Sequence, residues 1–251
     1  MGGSSVIQRT GTFLAPILAP LVFLVLWNFI AVNVGNDLIL PGLDQVSDLL
    51  LYPYKDVISM GSLAGNVWIS LVRVMVGYLW AAILAIPLGL AMGASRKIYS
   101  SLNLFLGLFR PIPPLAWVPL VLAWFGVASF ATLLGIEEGN WYIWLNNLKL
   151  SMLFIIFIGA FYPILSNTIY GVSSVPKILI ESSRVLGASR TDMFCKVFLP
   201  AAAPSIVTGM RVGLGVAWMC LVSAEMLPGS ISGVGYLITH AYTVARIDVV
   251  V

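Results

Sequence analysis

Long apolar runs recur along the whole chain and constrain its fold more than any single motif does. About 20 mostly apolar residues suffice to cross a bilayer as a helix, which satisfies its backbone polar groups within one segment. The short alternating segments of a barrel are not found in the sequence. Of the 251 residues, 60% are hydrophobic and 9% are charged, against about 25% charged in a soluble domain. The sequence therefore predicts an all-α membrane protein.

Six apolar segments are predicted to cross the membrane. The first is long and lacks a small-residue cleavage site, so we expect it to be retained rather than removed as a signal peptide. The third is interrupted by the run Arg110-Pro111-Ile112-Pro113-Pro114. The predicted spans are residues 13–33, 67–93, 102–127, 151–170, 204–227 and a last one that begins near Gly235 or Tyr242 and is still running at Val251.

The charges of the connecting segments predict the orientation. The cations fall on one side of the membrane if the N-terminus is cytoplasmic, as the positive-inside rule requires: Arg9, Arg96, Lys97, Lys177, Arg184, Arg190 and Lys196. The opposite segments are rich in acidic residues. We expect a multi-pass protein of the cell inner or plasma membrane with a cytoplasmic N-terminus. The net charge of +3 is too small to indicate nucleic-acid binding.

Two outer segments and two glycine pairs carry further structural information. Residues 41–54 are predicted to form a short amphipathic helix along the membrane surface. The outer loop 128–150 is longer than expected and rich in aromatic residues, which predicts a position at the lipid–water interface. Small residues four apart, Gly89 with Gly93 and Gly209 with Gly213, predict close helix packing.

The segment from Pro176 to Pro200 is predicted to form two short helices separated by a glycine. Pro176 suits a first helical position, and Gly187 suits a left-handed C-terminal cap. Ser189 and Asp192 resemble a capping box for the second helix, and Pro200 is expected to end it. The second helix carries an apolar face made of Met193, Phe194, Val197 and Phe198. Such a face needs a partner, either the helix bundle or another protein.

This segment also carries a family resemblance. The pattern Glu181-Ser182-Ser183, three residues, Gly187, nine residues, Val197, one residue, Leu199-Pro200 resembles the cytoplasmic motif of ATP-binding-cassette (ABC) importer permeases. The stretch from Arg110 to Trp117 and the stretch Ser223-Ala224-Glu225-Met226-Leu227 resemble the branch that transports nitrate, sulfonate, taurine and bicarbonate. The resemblance begins at about residue 66 and implies the type I importer permease fold.

The resemblance implies a single permease domain in three parts. An N-terminal helix and outer segment occupy residues 1–65, and the permease core occupies 66–251 with a coupling loop at 171–200. The chain stops inside its last predicted span, where relatives usually continue for one more helical stretch, so the last helix is expected to be truncated. The implied contacts to the ATPase are Glu181, Ser182, Ser183, Gly187, Ala188, Asp192, Met193, Phe194, Leu199 and Pro200.

The resemblance also implies the partners. These are ABC ATPase subunits, a second permease subunit (an identical copy or a paralogue) and an external substrate-binding protein. ATP and Mg²⁺ would be bound by the ATPase, because this chain carries no Gly-rich phosphate loop with lysine and no cofactor is expected on it. Gly187→Asp is expected to uncouple transport from ATP hydrolysis.

Charged residues within the predicted spans need a reason, because burying one in lipid is unfavourable by about 2.5–3.5 kcal/mol on insertion scales. Arg110, beside Pro113, could line the translocation path together with Trp117, or its guanidinium could bond carbonyls that the prolines free. Arg73 and Glu225 have matching depths, which predicts an ion pair, although either could also contact substrate. Arg211 is expected to extend towards the cytoplasmic headgroups.

The residues leave several functions open. A small anion is the preferred cargo, and a heterocycle such as a thiamine precursor is the alternative within the same permease class. A stand-alone channel or secondary transporter would require no ATPase, and the inverted repeat of many such transporters is not found. A membrane enzyme would need clustered His, Asp or Glu inside the spans, which are not found, so neither a catalytic residue nor a metal site is predicted. Cys195 and Cys220 fall at different depths, so no disulfide is expected.

Overall fold

A computed structural model describes residues 4–227 and 229–251, with side chains from Leu18 onwards except that of Arg190. Its regular elements are helical, as the apolar runs predict. They are α1 Ser4–Val34, α2 Leu43–Leu51, α3 Leu63–Ala94, α4 Arg96–Phe109, a 3₁₀ helix Pro114–Trp117, α5 Val118–Phe125, α6 Phe130–Leu134, α7 Asn140–Asn146, α8 Leu150–Ser173, α9 Lys177–Val185, α10 Arg190–Asp192, a π-helix Met193–Phe198, α11 Leu199–Glu225, α12 Val234–Thr243 and α13 Ile247–Val250.

Three stretches of the described chain are long and apolar enough to cross a membrane: Leu63–Ala94, Leu150–Ser173 and Met193–Glu225. A fourth crossing is possible if Arg96–Phe109 and Pro114–Phe125, which meet at an angle of 78°, form one broken span. The break falls at the predicted proline run, because proline donates no backbone hydrogen bond and its ring clashes with the preceding turn. The part of α1 whose side chains the structure describes, Leu18–Val34, is apolar as well.

The chain divides into two compact units. The first runs to Asn66 and resumes over Leu237–Val251, and the second is Val67–Tyr236. In the first unit, the Trp27 indole Nε1–H donates to the Pro41 carbonyl at 3.0 Å and so joins α1 to the segment before α2. The predicted outer helix within 41–54 is present as α2.

The last predicted span differs from the structure. The helix α12 ends at Thr243, and Ala245 has a positive φ of 58° before the short α13. The N–H of Arg246 donates to the Ala241 carbonyl and that of Ala245 to Tyr242, which is the Schellman pattern of a helix end. A continuous helix to Val251 is therefore wrong for the described residues, because local capping ends the helix within an apolar sequence.

The second unit is built around α8, which packs closely against both α3 and α11. The predicted glycine pairs face α8: a Cβ at Gly89 or Gly93 would lie 2.6 Å from Thr168 or Val172, and one at Gly209 would lie 2.6 Å from Asn167. Small residues are needed here because the helix backbones approach too closely for a side chain. The core of this unit draws on all three helices and includes Val74, Ala81, Ile156, Ile164, Ala217 and Leu221.

Candidate coupling surface and buried charge network

The segment from Pro176 to Gly187 forms a capped helix. The helix α9 begins at Lys177, so Pro176 is its N-cap rather than its first residue. Gly187 has φ +79°, its N–H donates to the Arg184 carbonyl, and the N–H of Ala188 donates to that of Ser183. These bonds are the Schellman pattern and confirm the predicted C-terminal cap. The chain therefore turns sharply at Gly187.

The second helix of the loop opens with the predicted capping box. The Ser189 N–H donates to Asp192 Oδ2 at 3.2 Å, and the Asp192 N–H donates to Ser189 Oγ at 3.1 Å. Asp192 also pairs with Lys196, with Nζ and Oδ1 2.6 Å apart. The hydrogen bond from Lys196 and those from Ser189 lower the pKa of Asp192 to about 2. The carboxylate is thus ionised at neutral pH and can accept both bonds.

The expectation that Pro200 ends the second helix is wrong. After α10 the chain continues through the π-helix Met193–Phe198 into α11, and Pro200 lies in the first turn of α11. The Leu199 N–H donates to the Phe194 carbonyl, five residues back. A proline clashes with the carbonyl four residues before it in a regular helix. The wider π turn is the physical reason that the helix passes Pro200 without stopping.

The apolar face of the second helix packs on the chain's own bundle. Met193 is 7% exposed, and it clusters with Phe198, Val175 of the α8–α9 turn and Leu90 of α3. Phe194 and Val197 pack against the same cluster. Of the two partners that the sequence allowed, the structure therefore selects the bundle. Met193 is not available at the surface for another protein.

The exposed apolar residues of the loop lie instead on α9 and its cap, where sequence reasoning missed them. Val185 is 87% exposed and Leu186 is 86% exposed, and Ile178 and Leu179 of the same helix are exposed as well. The carboxylate of Glu181, also on this helix, has no partner among the described residues. The signal that could have found these residues is their amphipathic spacing beside the charged Glu181. We call Ile178, Leu179, Glu181, Val185 and Leu186 the α9 surface.

A second constellation lies at the other end of α11, where Arg73 and Glu225 form the predicted ion pair. Arg73 Nη1 lies 2.6 Å from Glu225 Oε1, and the two residues are 0% and 1% exposed. The Ser70 hydroxyl also donates to the Glu225 carboxylate, at 2.8 Å, and the Gly235 N–H donates to Oε2 at 3.0 Å. The charge of Glu225 is therefore balanced by one cation and two further donors.

The same arginine fixes two loops. Its Nη1 donates to the Ser232 carbonyl at 2.7 Å, its Nη2 to the Ser232 hydroxyl at 2.9 Å, and its Nε to the Asn147 carbonyl at 2.7 Å. The Ser232 hydroxyl in turn donates to Asn147 Oδ1 at 2.7 Å. We call the set Ser70, Arg73, Asn147, Glu225 and Ser232 the charge network. It joins α3, α11, the end of the predicted outer loop and the α11–α12 connector. Neither charge faces open space in this structure.

The connector approaches the network closely. A Cβ at Gly233, where φ is +113°, would lie 2.6 Å from Glu225 Oε2 and closer still to Oε1. A Cβ at Gly235 would lie 2.8 Å from the Glu225 Cβ. Real side chains do not tolerate such distances, so both positions require glycine for the connector to close over the carboxylate.

The residues predicted for the translocation path lie at the broken span. Arg110 and Pro113 are exposed, and no hydrogen bond or ion pair joins the Arg110 side chain to a described residue. The alternative in which the guanidinium bonds freed carbonyls is therefore not seen. Trp117 packs against Phe109 and Phe154, and its buried Nε1–H has no acceptor among the described residues. Arg211, on α11, is exposed as well.

No group of three or more His, Cys, Asp or Glu within the described parts of the chain could hold a metal ion. The candidate site therefore consists of the α9 surface, the buried Arg73–Glu225 pair, the exposed Arg110 at the break between α4 and the 3₁₀ helix, and the exposed Arg211 on α11.

The chain is similar to known membrane transport proteins. The family described as "Binding-protein-dependent transport system inner membrane component" matches residues 85–250. A Methanocaldococcus jannaschii protein, described provisionally as an ABC transporter permease protein, is 46% identical over 99% of this chain and 86% of its own length. A nitrate import permease protein of Synechocystis sp. is 35% identical over 94% of this chain and 79% of its own length. A taurine transport system permease protein of Escherichia coli is 32% identical over 89% and 74%.

Proposed function

Because the chain belongs to the family of binding-protein-dependent transport system inner membrane components, in the branch that includes nitrate and taurine permeases, we propose that it forms part of the translocation path of an ATP-driven importer for a small anion. Membership of this branch confirms the resemblance that the motifs indicated. The relatives are transport components, so the work of ATP hydrolysis is assigned to a separate ATPase chain that binds ATP and Mg²⁺.

The observation that carries the proposal is the α9 surface. Val185 and Leu186 are almost fully exposed at the turn of a loop that is otherwise well capped and packed. Exposed apolar residues on a rigid loop favour a protein partner, because the loop pays little ordering entropy on binding. We assign this surface to the ATPase, with Glu181 supplying charge contacts and Gly187 the sharp turn.

The remaining motif residues support the coupling role indirectly. Ser182 and Ser183 donate to the Leu179 carbonyl and hold α9, and Asp192 caps the second helix. Met193 and Phe194 anchor that helix on the bundle, and Leu199 and Pro200 join it to α11. Movement of the ATPase against α9 would in this way be transmitted to the membrane helix through packed residues.

The anion path is proposed to follow the broken span. Arg110 and Arg211 are exposed cations without a described partner, which suits a small anion, and Pro113 and Trp117 form the break beside Arg110. Arg73 and Glu225 neutralise one another and are buried, so we assign them to holding the end of the path rather than to binding substrate. This division predicts that substrate affinity depends on Arg110 more than on Arg73.

The complete importer is proposed to contain two permease subunits, identical or paralogous, two ATPase subunits and an external binding protein that selects the cargo. The chain is proposed to be a single permease domain, with its N-terminal helix and outer segment at 1–65 and its core at 66–251. It would lie in the cell inner or plasma membrane with its N-terminus in the cytoplasm. Co-purification of an ATPase from native membranes, lost when residues 177–187 are replaced by a Gly-Ser linker of equal length, is the expected result.

Gly187 offers a sharper test of coupling. No atom lies within 4 Å of a Cβ placed there, so a side chain fits, and only the positive φ opposes it. Asn tolerates this conformation, whereas Asp adds a negative charge of nearly the same shape. We expect Gly187→Asp to abolish ATP-driven uptake in reconstituted vesicles, while Gly187→Asn retains most of it. Full uptake by Gly187→Asp, with the protein present in the membrane, would contradict the assignment of the loop to the ATPase.

A further inference from the structure

An apolar groove opens on the side of the second unit, between α3, α8 and the junction of α5 with α6. It has a volume of about 300 Å³, at the lower end of the range of ligand-binding clefts. Its remaining lining residues are a glycine and two leucines beside five aromatic rings, which are those of Trp80, Phe125, Phe130, Phe154 and Phe157. We call this feature the aromatic groove.

The groove is held open by packing around Phe154. The ring of Phe154 contacts those of Phe125 and Phe157, with centroids 5.9 and 6.4 Å away, and also contacts those of Trp117 and Trp124. Phe157 in turn stacks on Phe161, with centroids 5.3 Å apart. Because these rings fix one another, the walls cannot collapse into the space without rearranging the cluster.

The chemistry of the lining excludes polar occupants. No side chain of the groove carries a hydrogen-bonding group except the Trp80 indole N–H, so water or a small anion would lack the partners it needs there. The aromatic groove is therefore separate from the proposed anion path. An empty groove is also unfavourable, because its walls lose the dispersion contacts that an apolar occupant supplies.

The position of the groove identifies the occupant. Its walls α3 and α8 are two of the stretches long and apolar enough to cross a membrane, so lipid hydrocarbon is the medium expected beside them. Two of its lining residues, Phe130 and Leu150, lie at the neck of the predicted outer loop, where the Phe130 N–H donates to the Leu148 carbonyl and the Leu150 N–H to the Ala128 carbonyl. We propose that the aromatic groove binds one acyl chain of a membrane phospholipid, which enters from the side of the helix bundle.

An acyl chain bound in the aromatic groove would lie next to residues of the broken span and of the predicted outer loop. Phe154 lies between the groove and Trp117 of the 3₁₀ helix at the broken span. Phe130 and Leu150 lie where the predicted outer loop leaves and rejoins the bundle. The acyl chain would therefore support both the break in the span and the neck of that loop.

The test uses the purified full chain in nanodiscs of phosphatidylcholine doped with a phospholipid that carries a diazirine midway along one acyl chain. After irradiation, mass spectrometry of the peptides locates the cross-links. We expect them to concentrate on Trp80 and on residues 153–157. The reference surface is the exposed apolar face of α4, formed by Leu104, Phe105 and Leu108. Equal labelling of the groove and of this reference surface would mean bulk lipid only and would overturn the proposal.

A pair of matched variants isolates the groove. Leu150→Trp places an indole in its open space, whereas Leu104→Trp makes the same change on the exposed face of α4. Labelling of residues 153–157 should fall to the level of the reference surface in the first variant and persist in the second. Persistence of groove labelling in a folded Leu150→Trp protein would contradict the proposal. If that variant does not fold, the comparison of cross-links on the groove and on the reference surface in the unmodified chain still decides whether the groove binds an acyl chain.

A second copy of the chain is the competing occupant. In a Cys195→Ser background, which removes the exposed native cysteine, Phe157→Cys gives a thiol in the groove. A disulfide dimer formed across Phe157→Cys in nanodiscs, together with loss of lipid labelling, would assign the groove to a subunit contact instead. Absence of that dimer with lipid labelling retained is the expected result.

Discussion

The two ends of α11 are organised in opposite ways. At the Glu225 end, a buried pair is satisfied entirely within the chain, by Ser70, Arg73 and the Gly235 N–H. At the Pro200 end, the loop caps its own helices but leaves Val185 and Leu186 exposed. A fully paired network resists change, whereas an exposed apolar surface is available to a partner. Under the proposed function, force would enter α11 at the coupling loop, and the charge network would hold the opposite end.

The largest expected effect comes from breaking the charge network. Arg73→Met should lower the free energy of unfolding by about 3–5 kcal/mol, because Glu225 is left buried without its cation. The double variant Arg73→Met/Glu225→Met should be less damaged than the single one, although Ser70 and the Gly235 N–H then lack their acceptor. Thermal unfolding in detergent, followed by gel filtration, measures both. Additive losses would contradict the pairing.

A smaller loss of stability is expected when a side chain pushes the α11–α12 connector away from the Glu225 carboxylate. Gly233→Ala and Gly229→Ala both place a side chain at positive φ, +113° and +99°, which costs about 1–3 kcal/mol. Only the Gly233 Cβ would meet Glu225, whereas the Gly229 Cβ has its nearest neighbour, Val127 Cγ1, at 3.8 Å. Gly233→Ala should therefore fall between Gly229→Ala and the broken pair in the same unfolding assay. Equal stability of the two glycine variants would show that the connector is not held as the structure has it.

At the coupling loop, a matched pair of alanine variants separates surface from core. Leu186→Ala should change stability by no more than about 0.5 kcal/mol but weaken ATPase binding about tenfold, since Leu186 is exposed. Met193→Ala should do the reverse and lower stability by about 2–5 kcal/mol, because Met193 is in the core. Unfolding curves and titration of the ATPase in nanodiscs measure the two effects. Tight binding by Leu186→Ala would move the interface away from α9.

The smallest effect concerns the capping box. The pKa of Asp192 is lowered to about 2 by Lys196 and Ser189, so its ionised form is favoured by folding. The stabilisation is complete above the ordinary aspartate pKa of about 3.9 and is lost as the pH falls from there towards about 2. Amide exchange of Asp192, corrected for the intrinsic rate, should accelerate over that window. Asp192→Asn should show no such pH dependence, and an identical profile in both would exclude the carboxylate as the cause.

Much of the coupling loop could be predicted because its signals are local. A glycine in the left-handed conformation, and a Ser-x-x-Asp pattern, act through hydrogen bonds between residues a few positions apart, so Gly187 and the Ser189–Asp192 cap were found. The predicted helix end at Pro200 was wrong, because a proline stops a regular helix but not one that widens into a π turn. The amphipathic pattern of Met193 and Phe194 indicated a partner without identifying it as the bundle.

The sequence by itself determined the all-helical class, the broken span, the helix-packing glycines, the ion pair of matching depth and the capped loop, since each depends on composition, spacing or short-range bonds. Only the tertiary structure decided that Ser232, Asn147 and Gly235 bond the buried pair, that α9 rather than the second helix is exposed, and that five aromatic rings line an open groove. These contacts join residues as far apart as Arg73 and Ser232. Which distant residues meet depends on how the helices pack, and no local pattern encodes that.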